Sequence, residues 1–189
     1  MKRMIIVLAA AGFVGVAALP AQSVDQRREN QQDRIANGIQ QNQLTPAETA
    51  KIEKQEKAIN QQVSGDRYLN GGKLTPAERK QVNGELNKTS SEIHTDRTNS
   101  AHPVYGNNKV DQRRENQQDR IAQGVRNGSL NAGQTARLEG QEAKINQQVR
   151  TDRAANGGKL TAAEKKQVNK EQNVESRRIH RDKHNARVR

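Results

Sequence analysis

A tandem duplication constrains the fold of this chain more than any other feature of its sequence. Residues 24–36 return letter for letter as residues 110–122, which is an offset of 86 residues. At the same offset, residues 70–75 reappear unchanged as residues 156–161. Internal similarity at one constant period indicates two copies of a single structural unit.

The duplication divides the chain into four segments. These are a leader at 1–23, unit 1 at 24–98, a linker at 99–109 and unit 2 at 110–189. The sequence leaves open whether the two units pack on each other, exchange helices or extend in a row. It also leaves open whether they become fully ordered without a partner or only after dimerisation.

The leader has the pattern of a bacterial signal peptide. Lys2 and Arg3 form a basic start, residues 4–19 carry no charge, and small side chains follow at Ala21 and Ser23. Cleavage after Ser23 is expected, with cleavage after Ala21 as the alternative. A retained anchor is a further alternative, although the uncharged run is shorter than the roughly 20 residues of a membrane span. We therefore expect a periplasmic or secreted protein without a transmembrane segment in its mature chain.

The composition argues against a deep catalytic pocket. Only 31% of the residues are hydrophobic and 2% are aromatic, and cysteine is absent. Disulfides, cysteine-ligated metals and thiol nucleophiles are thereby excluded. No grouping of serine, histidine and aspartate forms a nucleophile motif, and we expect the carboxylates to lie on solvated faces beside arginine or lysine. The sequence predicts no enzymatic activity and no cofactor.

Four helix starts share one capping pattern, in which Leu-Thr or Leu-Asn precedes an acidic or amide residue. A Thr or Asn side chain accepts from the backbone N–H three residues later, where Glu or Gln reaches back to the N–H of the cap. The predicted capping pairs are Thr45 with Glu48, Thr75 with Glu78, Asn131 with Gln134 and Thr161 with Glu164.

These signals predict an all-α protein with three helices in each unit, running up, down and up. We expect helices at 25–40, 46–64 and 76–96, with equivalents 86 residues later. Apolar residues recur at helical spacing in the second and third helices, and Gly71-Gly72 supplies a stop. The first helix is polar almost throughout, which is typical of a helix that is solvated, packed through polar contacts or marginally stable.

Positive charge is concentrated in unit 2. Residues 24–103 have a net charge of +1, whereas residues 110–189 have a net charge of +8. This excess predicts a surface that binds an anionic polymer or the cell envelope, and an exposed basic tail without a ligand is the alternative. Stacking aromatics are missing there, so we expect no sequence-specific nucleic acid partner. The candidate binding residues are Arg177, Arg178, Arg181, Lys183, Arg187 and Arg189.

Two patterns are weak candidates for metal binding. The loop 66–78 has the glycine and closing glutamate of a calcium-binding EF-hand, but Arg67, Leu69 and Gly71 occupy positions that need oxygen ligands. A glycine stop followed by a capped helix explains the same residues. His180 and His184 are four residues apart, a spacing at which two histidines can share a transition metal. The positive side chains around them disfavour a metal ion, and solvated side chains at the end of a helix are the alternative.

The repeated helix starts resemble two known groups of proteins. Gly-x-Leu-Thr-x-x-Glu repeats and the ending Lys183-His184-Asn185-Ala186-Arg187 resemble a family of secreted bacterial proteins, and this resemblance implies no activity. The segments 44–48, 74–78 and 160–164 are similar to the Leu-Thr-x-x-Gln motifs of Spy/CpxP-type periplasmic chaperones. That similarity implies a dimeric helical cradle that holds unfolded clients on a basic concave face.

The sequence thus predicts an exported helical repeat protein that acts by binding or scaffolding, in a chaperone-like manner. Its expected partner is a protein client or a second copy of the chain. Binding of an anionic polymer through unit 2 is the first alternative, and calcium or metal binding by the EF-hand-like loops is the second.

Overall fold

Six α-helices account for most of residues 22–185. The computed structural model describes residues 22–185, in which no β-strand occurs, so the predicted all-α class is confirmed. None of the helices in this part is both long and apolar enough to span a membrane. The helices are α1 at Val24–Gln40, α2 at Pro46–Leu69, α3 at Pro76–Thr98, α4 at Lys109–Arg126, α5 at Ala132–Ala155 and α6 at Ala162–His184.

The helices begin where the sequence places their caps. Capping boxes are present at the start of α2, α3, α5 and α6, formed by the four predicted residue pairs. A fifth box starts α1, where the Ser23 hydroxyl accepts from the Gln26 N–H and the Gln26 side chain accepts from the Ser23 N–H. Helix α4 begins at Lys109 behind an Asn108 cap, one residue earlier than its counterpart in the first copy.

The second helix of each copy is longer than predicted. Helix α2 continues past residue 64 to Leu69, because Gly65 lies inside the helix and does not interrupt it. The stop comes at Gly71 and Gly72, whose φ angles are +63° and +91°. The Gly72 N–H donates to the Arg67 carbonyl at 2.7 Å, which is the six-to-one bond of a Schellman motif. Glycine is needed here because side chains disfavour positive φ.

The six helices pack as one body. Helix α3 contacts α1 and α2, and α6 contacts α4 and α5. The two copies meet through α1 against α4 and through α2 against α5, so each of these helices faces its own repeat equivalent. Such an arrangement has the self-complementary form of a two-fold interface. Of the possibilities left open by the sequence, the structure has the packed one.

The central core is shared by the two copies. It contains six residues from each copy, and the members of each pair lie 86 positions apart. Smaller apolar clusters lie on either side, one within each copy. The central residues are Ile35, Ala36, Ile39, Leu44, Ile52 and Ile93 with Ile121, Ala122, Val125, Leu130, Leu138 and Ile179.

The polar first helix packs through hydrogen bonds as well as through its few apolar residues. The buried Gln31 amide donates to the Leu86 carbonyl at 2.7 Å, which fixes α1 against α3. Gln117 makes the same bond to Gln172 in the second copy, at 2.9 Å. Because the Gln31 amide donates to an internal acceptor, this residue is buried on the same face of α1 as Ile35 and Ile39. Of the three alternatives for this helix, packing through polar contacts is the one observed.

Candidate functional site

A polar groove lies between the two copies on one side of the molecule. It has a volume of about 1180 Å³ and is lined by α1 and α2 on one wall and by the α4–α5 connection on the other. Charged and amide side chains dominate the first wall, among them Asp25, Arg28, Glu29, Glu56 and Asn60. We refer to this feature as the inter-unit groove.

One wall of the inter-unit groove carries a fixed network of ion pairs. Arg28 donates to Asn60 at 2.6 Å and to Asp25 at 3.1 Å, and Arg67 donates to both Asp25 oxygens. The hydrogen bond from Arg67 is the main reason that the pKa of Asp25 lies below its usual value. Asp25 is therefore a permanent acceptor at neutral pH, and its side chain remains half exposed.

The second copy contains the same network in a covered form. Arg114 donates to Asn146 and Asp111, and Arg153 donates to Asp111 at 2.9 Å. Burial by itself would raise the pKa of Asp111, but the hydrogen bonds from Arg153 and Asn108 outweigh it and lower the pKa. Here the linker lies over the network, and the centroid of the Tyr105 ring is 5.0 Å from the central carbon of the Arg114 guanidinium.

A row of glutamates is buried where α2 meets α5. Glu53, Glu56, Glu139 and Glu142 have at most 1% of their surface exposed, and Glu175 of α6 is fully buried beside them. The amides of Gln32 and Gln118 donate to Glu53 and Glu139 at 3.3 and 3.0 Å. The other oxygen of each of these two carboxyls has no partner among the described residues.

Burial changes the acidity of these glutamates. It raises the pKa of Glu53 to about 8, and the charge of Glu56 adds to the effect. It raises the pKa of Glu142 to about 8 and that of Glu56 and Glu175 to about 7. The pKa of Glu139 is also well above its usual value because of burial. Desolvation penalises the charged form, so each of these glutamates keeps its proton to a higher pH than an exposed carboxyl does.

The expectation that the carboxylates lie on solvated faces is wrong for these five glutamates. The duplication contained a signal for four of them. Glu53 and Glu56 return as Glu139 and Glu142, whereas Lys54 between them becomes Gly140. Retention of an acid while its exposed neighbour changes is typical of a constrained position.

The predicted basic residues lie on the outer face of α6. Arg177, Arg178 and Arg181 are exposed, and Lys183 is half-buried and donates to the Arg120 carbonyl. Arg178 pairs with buried Glu175 at 3.3 Å and Arg181 pairs with Asp182 at 3.1 Å. The side chains of Arg177, Arg178 and Arg181 line one surface depression, which has a volume of about 710 Å³. Arg187 and Arg189 lie outside the described residues.

The histidine pair is brought together, but without a third ligand. The rings of His180 and His184 are 4.1 Å apart, and His184 Nδ1 lies 2.7 Å from the His180 carbonyl oxygen. Among residues 22–185, no group of three or more His, Cys, Asp or Glu side chains is arranged to hold a metal.

The EF-hand-like loop is organised by hydrogen bonds of its own residues. The Asn70 amide donates to both Glu78 oxygens, at 2.9 and 3.0 Å, and the Thr75 N–H donates to the same carboxylate. Asn156 and Glu164 repeat this contact in the second copy. The closing glutamate of each loop is therefore engaged in capping a helix.

Comparison of the chain with protein-family models, curated proteins and solved structures finds no match.

Proposed function

We propose that this protein is an exported helical module that acts by binding another protein, in the manner of a chaperone or scaffold, and not by catalysis. The observation that carries the proposal is the inter-unit groove. It is a large concave surface, present without a ligand, whose charged groups are held by hydrogen bonds on a packed helical body. Preformed clefts of this kind reduce the ordering cost of binding.

The surface of the described residues favours a polar mode of recognition. Large apolar side chains are strongly exposed only at Tyr68, Leu69 and Val104 within residues 22–185. This surface offers few apolar contacts to a client that binds through a broad apolar patch. A segment that presents backbone and aromatic groups finds donors and acceptors in the groove. The similarity of the helix starts to Spy/CpxP-type chaperones supports a protein client, and the signal-peptide pattern supports export.

The proposal is tested by the ability of residues 22–189 to suppress aggregation of a reduced, unfolded model protein. This range contains all six helices and the Ser23 cap. Gln61 is exposed and lines the groove, and its repeat equivalent Gln147 is exposed beside the covered network. We expect suppression by the parent chain and by Gln147→Trp, and weaker suppression by Gln61→Trp. If the parent chain forms no complex with unfolded proteins, the proposal is wrong.

A second candidate function is binding of an anionic polymer at the cell envelope. It is favoured by the exposed row of Arg177, Arg178 and Arg181 on α6. The equivalent positions on α3 are occupied by Ser91, Glu92 and Thr95. The positive row is therefore a property of the second copy alone, and it would attract phosphate or sulfate groups.

Exchange of residues between the copies tests this second candidate. Arg177→Ser with Arg181→Thr introduces the α3 residues into α6, and Lys80→Ser with Lys88→Thr removes the same charge from exposed positions of α3. Titration with polyphosphate at two salt concentrations measures the affinity. We expect the α6 variant to bind more weakly and with a smaller salt dependence, since fewer counterions are released. Equal loss in the α3 variant would indicate attraction by net charge only.

A further inference from the structure

We propose that the inter-unit groove binds an extended segment of a partner protein that carries an aromatic residue followed by glycine. The proposal rests on the proposed function and specifies its ligand. It comes from the difference between the two copies, because the chain itself places Tyr105-Gly106 over the equivalent groups of the second copy.

The exposures of equivalent side chains measure this difference. Asp25 has 50% of its side chain exposed and Arg28 has 25%. Their equivalents Asp111 and Arg114 have 1% and 5% exposed. Both copies have the same arginine–aspartate–asparagine network, so the covering linker accounts for the contrast. The first copy therefore exposes an ion-pair network whose equivalent in the second copy is covered by the linker.

The covering segment defines what the open groove recognises. The Tyr105 ring packs on the Arg114 guanidinium, which is a cation–π contact that Arg28 can reproduce. The Tyr105 hydroxyl has no partner among the described residues, so the ring and not the hydroxyl is recognised. Burial raises the pKa of Tyr105, which keeps this side chain neutral.

The residue after the aromatic ring is restricted to glycine by its distance from the aspartate. The Gly106 N–H donates to Asp111 Oδ2 at 3.1 Å. A Cβ atom on Gly106 would lie only 2.9 Å from that same oxygen. A segment that donates its backbone N–H to Asp25 in the same way therefore needs glycine after its aromatic residue.

The chain lacks an equivalent segment of its own before α1. The linker residues 103–108 correspond, at the offset of 86, to residues 17–22, which contain neither an aromatic residue nor glycine. They also belong to the predicted leader. The stretch that aligns with the linker therefore cannot supply the aromatic–glycine pair, and we assign that pair to a partner protein. Exposed backbone with aromatic residues is what an unfolded client presents.

The probe for this proposal is a synthetic peptide with the linker sequence Ala101–Asn107, titrated into residues 22–189. NMR chemical shifts of Arg28, Glu29 and Asn60 report on the open groove, and those of Arg114, Glu115 and Asn146 report on the covered one. We expect shifts at the first set only. A Tyr105→Phe peptide should bind as well, whereas Tyr105→Ala and Gly106→Val peptides should each bind about tenfold more weakly.

The protein variants are Arg28→Gln, which removes the cation beneath the ring, and Gln61→Trp, which obstructs the groove without touching the ion pairs. Their melting curves establish that they fold. Loss of peptide binding in both, with retention in Gln147→Trp, is expected. Absence of shifts at the first set would overturn the proposal, and so would Tyr105→Ala or Gly106→Val peptides that bind as tightly as the unsubstituted peptide.

Failure of this inference is distinguishable from failure of the proposed function. If Gln61→Trp weakens binding of unfolded clients but the Tyr–Gly peptide does not compete with them, the groove binds proteins through other chemistry and the inference is wrong. If the parent chain binds no client, the proposed function is wrong.

Discussion

At the scale of single residues, two glycines are required by the approach of a leucine side chain. A Cβ on Gly38 would lie 2.7 Å from Leu44 Cδ1, and a Cβ on Gly124 would lie 2.6 Å from Leu130 Cδ1. Both leucines belong to the central core. The last turn of α1 and of α4 therefore contains a glycine. A larger residue would collide with the next apolar side chain, which folds back against the helix.

Replacement of a glycine by alanine is predicted to have opposite effects on stability where a side chain fills the space beside the glycine and where that space is open. Gly38→Ala should lower the free energy of unfolding by about 1–3 kcal/mol because the added methyl overpacks the core. Gly84→Ala should raise it by about 0.5–1 kcal/mol, since nothing lies within 4 Å and alanine favours the helix. Urea denaturation measures both. An equal effect of the two substitutions would contradict the close approach at Gly38.

The buried glutamates predict how stability depends on pH. Their pKa values are raised in the folded state, so the folded chain binds more protons than the unfolded chain between the unfolded value of 4.5 and about 8. Stability is then greatest at the acidic end of this range and decreases as the pH rises. We expect a lower melting temperature at a pH of about 8.5 than at a pH of about 5.5.

Removal of the two central carboxyls should weaken this pH dependence. Glu53→Gln with Glu139→Gln leaves neutral side chains of the same shape, so the variant should be more stable than the parent at alkaline pH. Glu29→Gln with Glu115→Gln is the matched control, because these equivalent positions are exposed. Thermal melts across the pH range measure the effect. A flat parent profile would contradict burial of ionisable carboxyls between α2 and α5.

At the scale of elements, the capped helix starts determine where each helix begins. The five boxes satisfy backbone N–H groups that otherwise lack a partner. If the predicted leader is removed, the box at α1 is the one that depends on where cleavage occurs. Cleavage after Ala21 keeps Ser23, whereas cleavage after Ser23 removes it.

The two cleavage sites therefore predict chains of different stability. A chain that begins at Val24 loses the Ser23 cap and places a positive terminal amine at the positive end of the helix dipole. We expect it to be about 1 kcal/mol less stable than a chain that begins at Gln22. Chemical denaturation of the two chains gives the difference, and Ser23→Ala in the longer chain separates the cap from the terminal charge. Equal stability of all three chains would show that the cap contributes nothing.

At the scale of the whole molecule, the two copies depend on each other for their core. The central apolar cluster takes half of its residues from each copy, and the glutamate row lies in the same interface. An isolated copy exposes these groups to water. Pairing with a second isolated copy would bury these groups again, because the faces of α1 and α2 match those of α4 and α5.

The first copy alone is predicted to dimerise. A fragment of residues 22–108 should form a symmetric dimer in which α1 meets α1 and α2 meets α2, since α1 and α2 pack on their near-copies in the full chain. Sedimentation equilibrium measures its mass. The full chain of residues 22–189 should unfold in one transition. A stable monomeric fragment would contradict the shared core.

Much of this fold was predictable because the signals involved are local. Capping boxes at residues 45–48 and 75–78, apolar spacing and the glycine stop at residues 71–72 act over a few residues, and each predicts its element wherever the chain goes next. The end of α2 was predicted too early because a lone glycine at residue 65 weakens a helix without ending it, and the end of α5 was too early because it was placed at the equivalent position. The exposed position of Arg177 was predictable from charge alone, whereas the inter-unit groove was not.

Local sequence signals were enough to predict the all-α class, the helix starts and the internal equivalence of positions 86 apart. Long-range packing sets α1 against α4 and α2 against α5. This packing buries Glu53 and Glu139, and the linker covers one of two equivalent ion-pair networks with Tyr105. A glutamate at helical spacing has the same local sequence whether it faces water or another helix, and only long-range packing decides its environment.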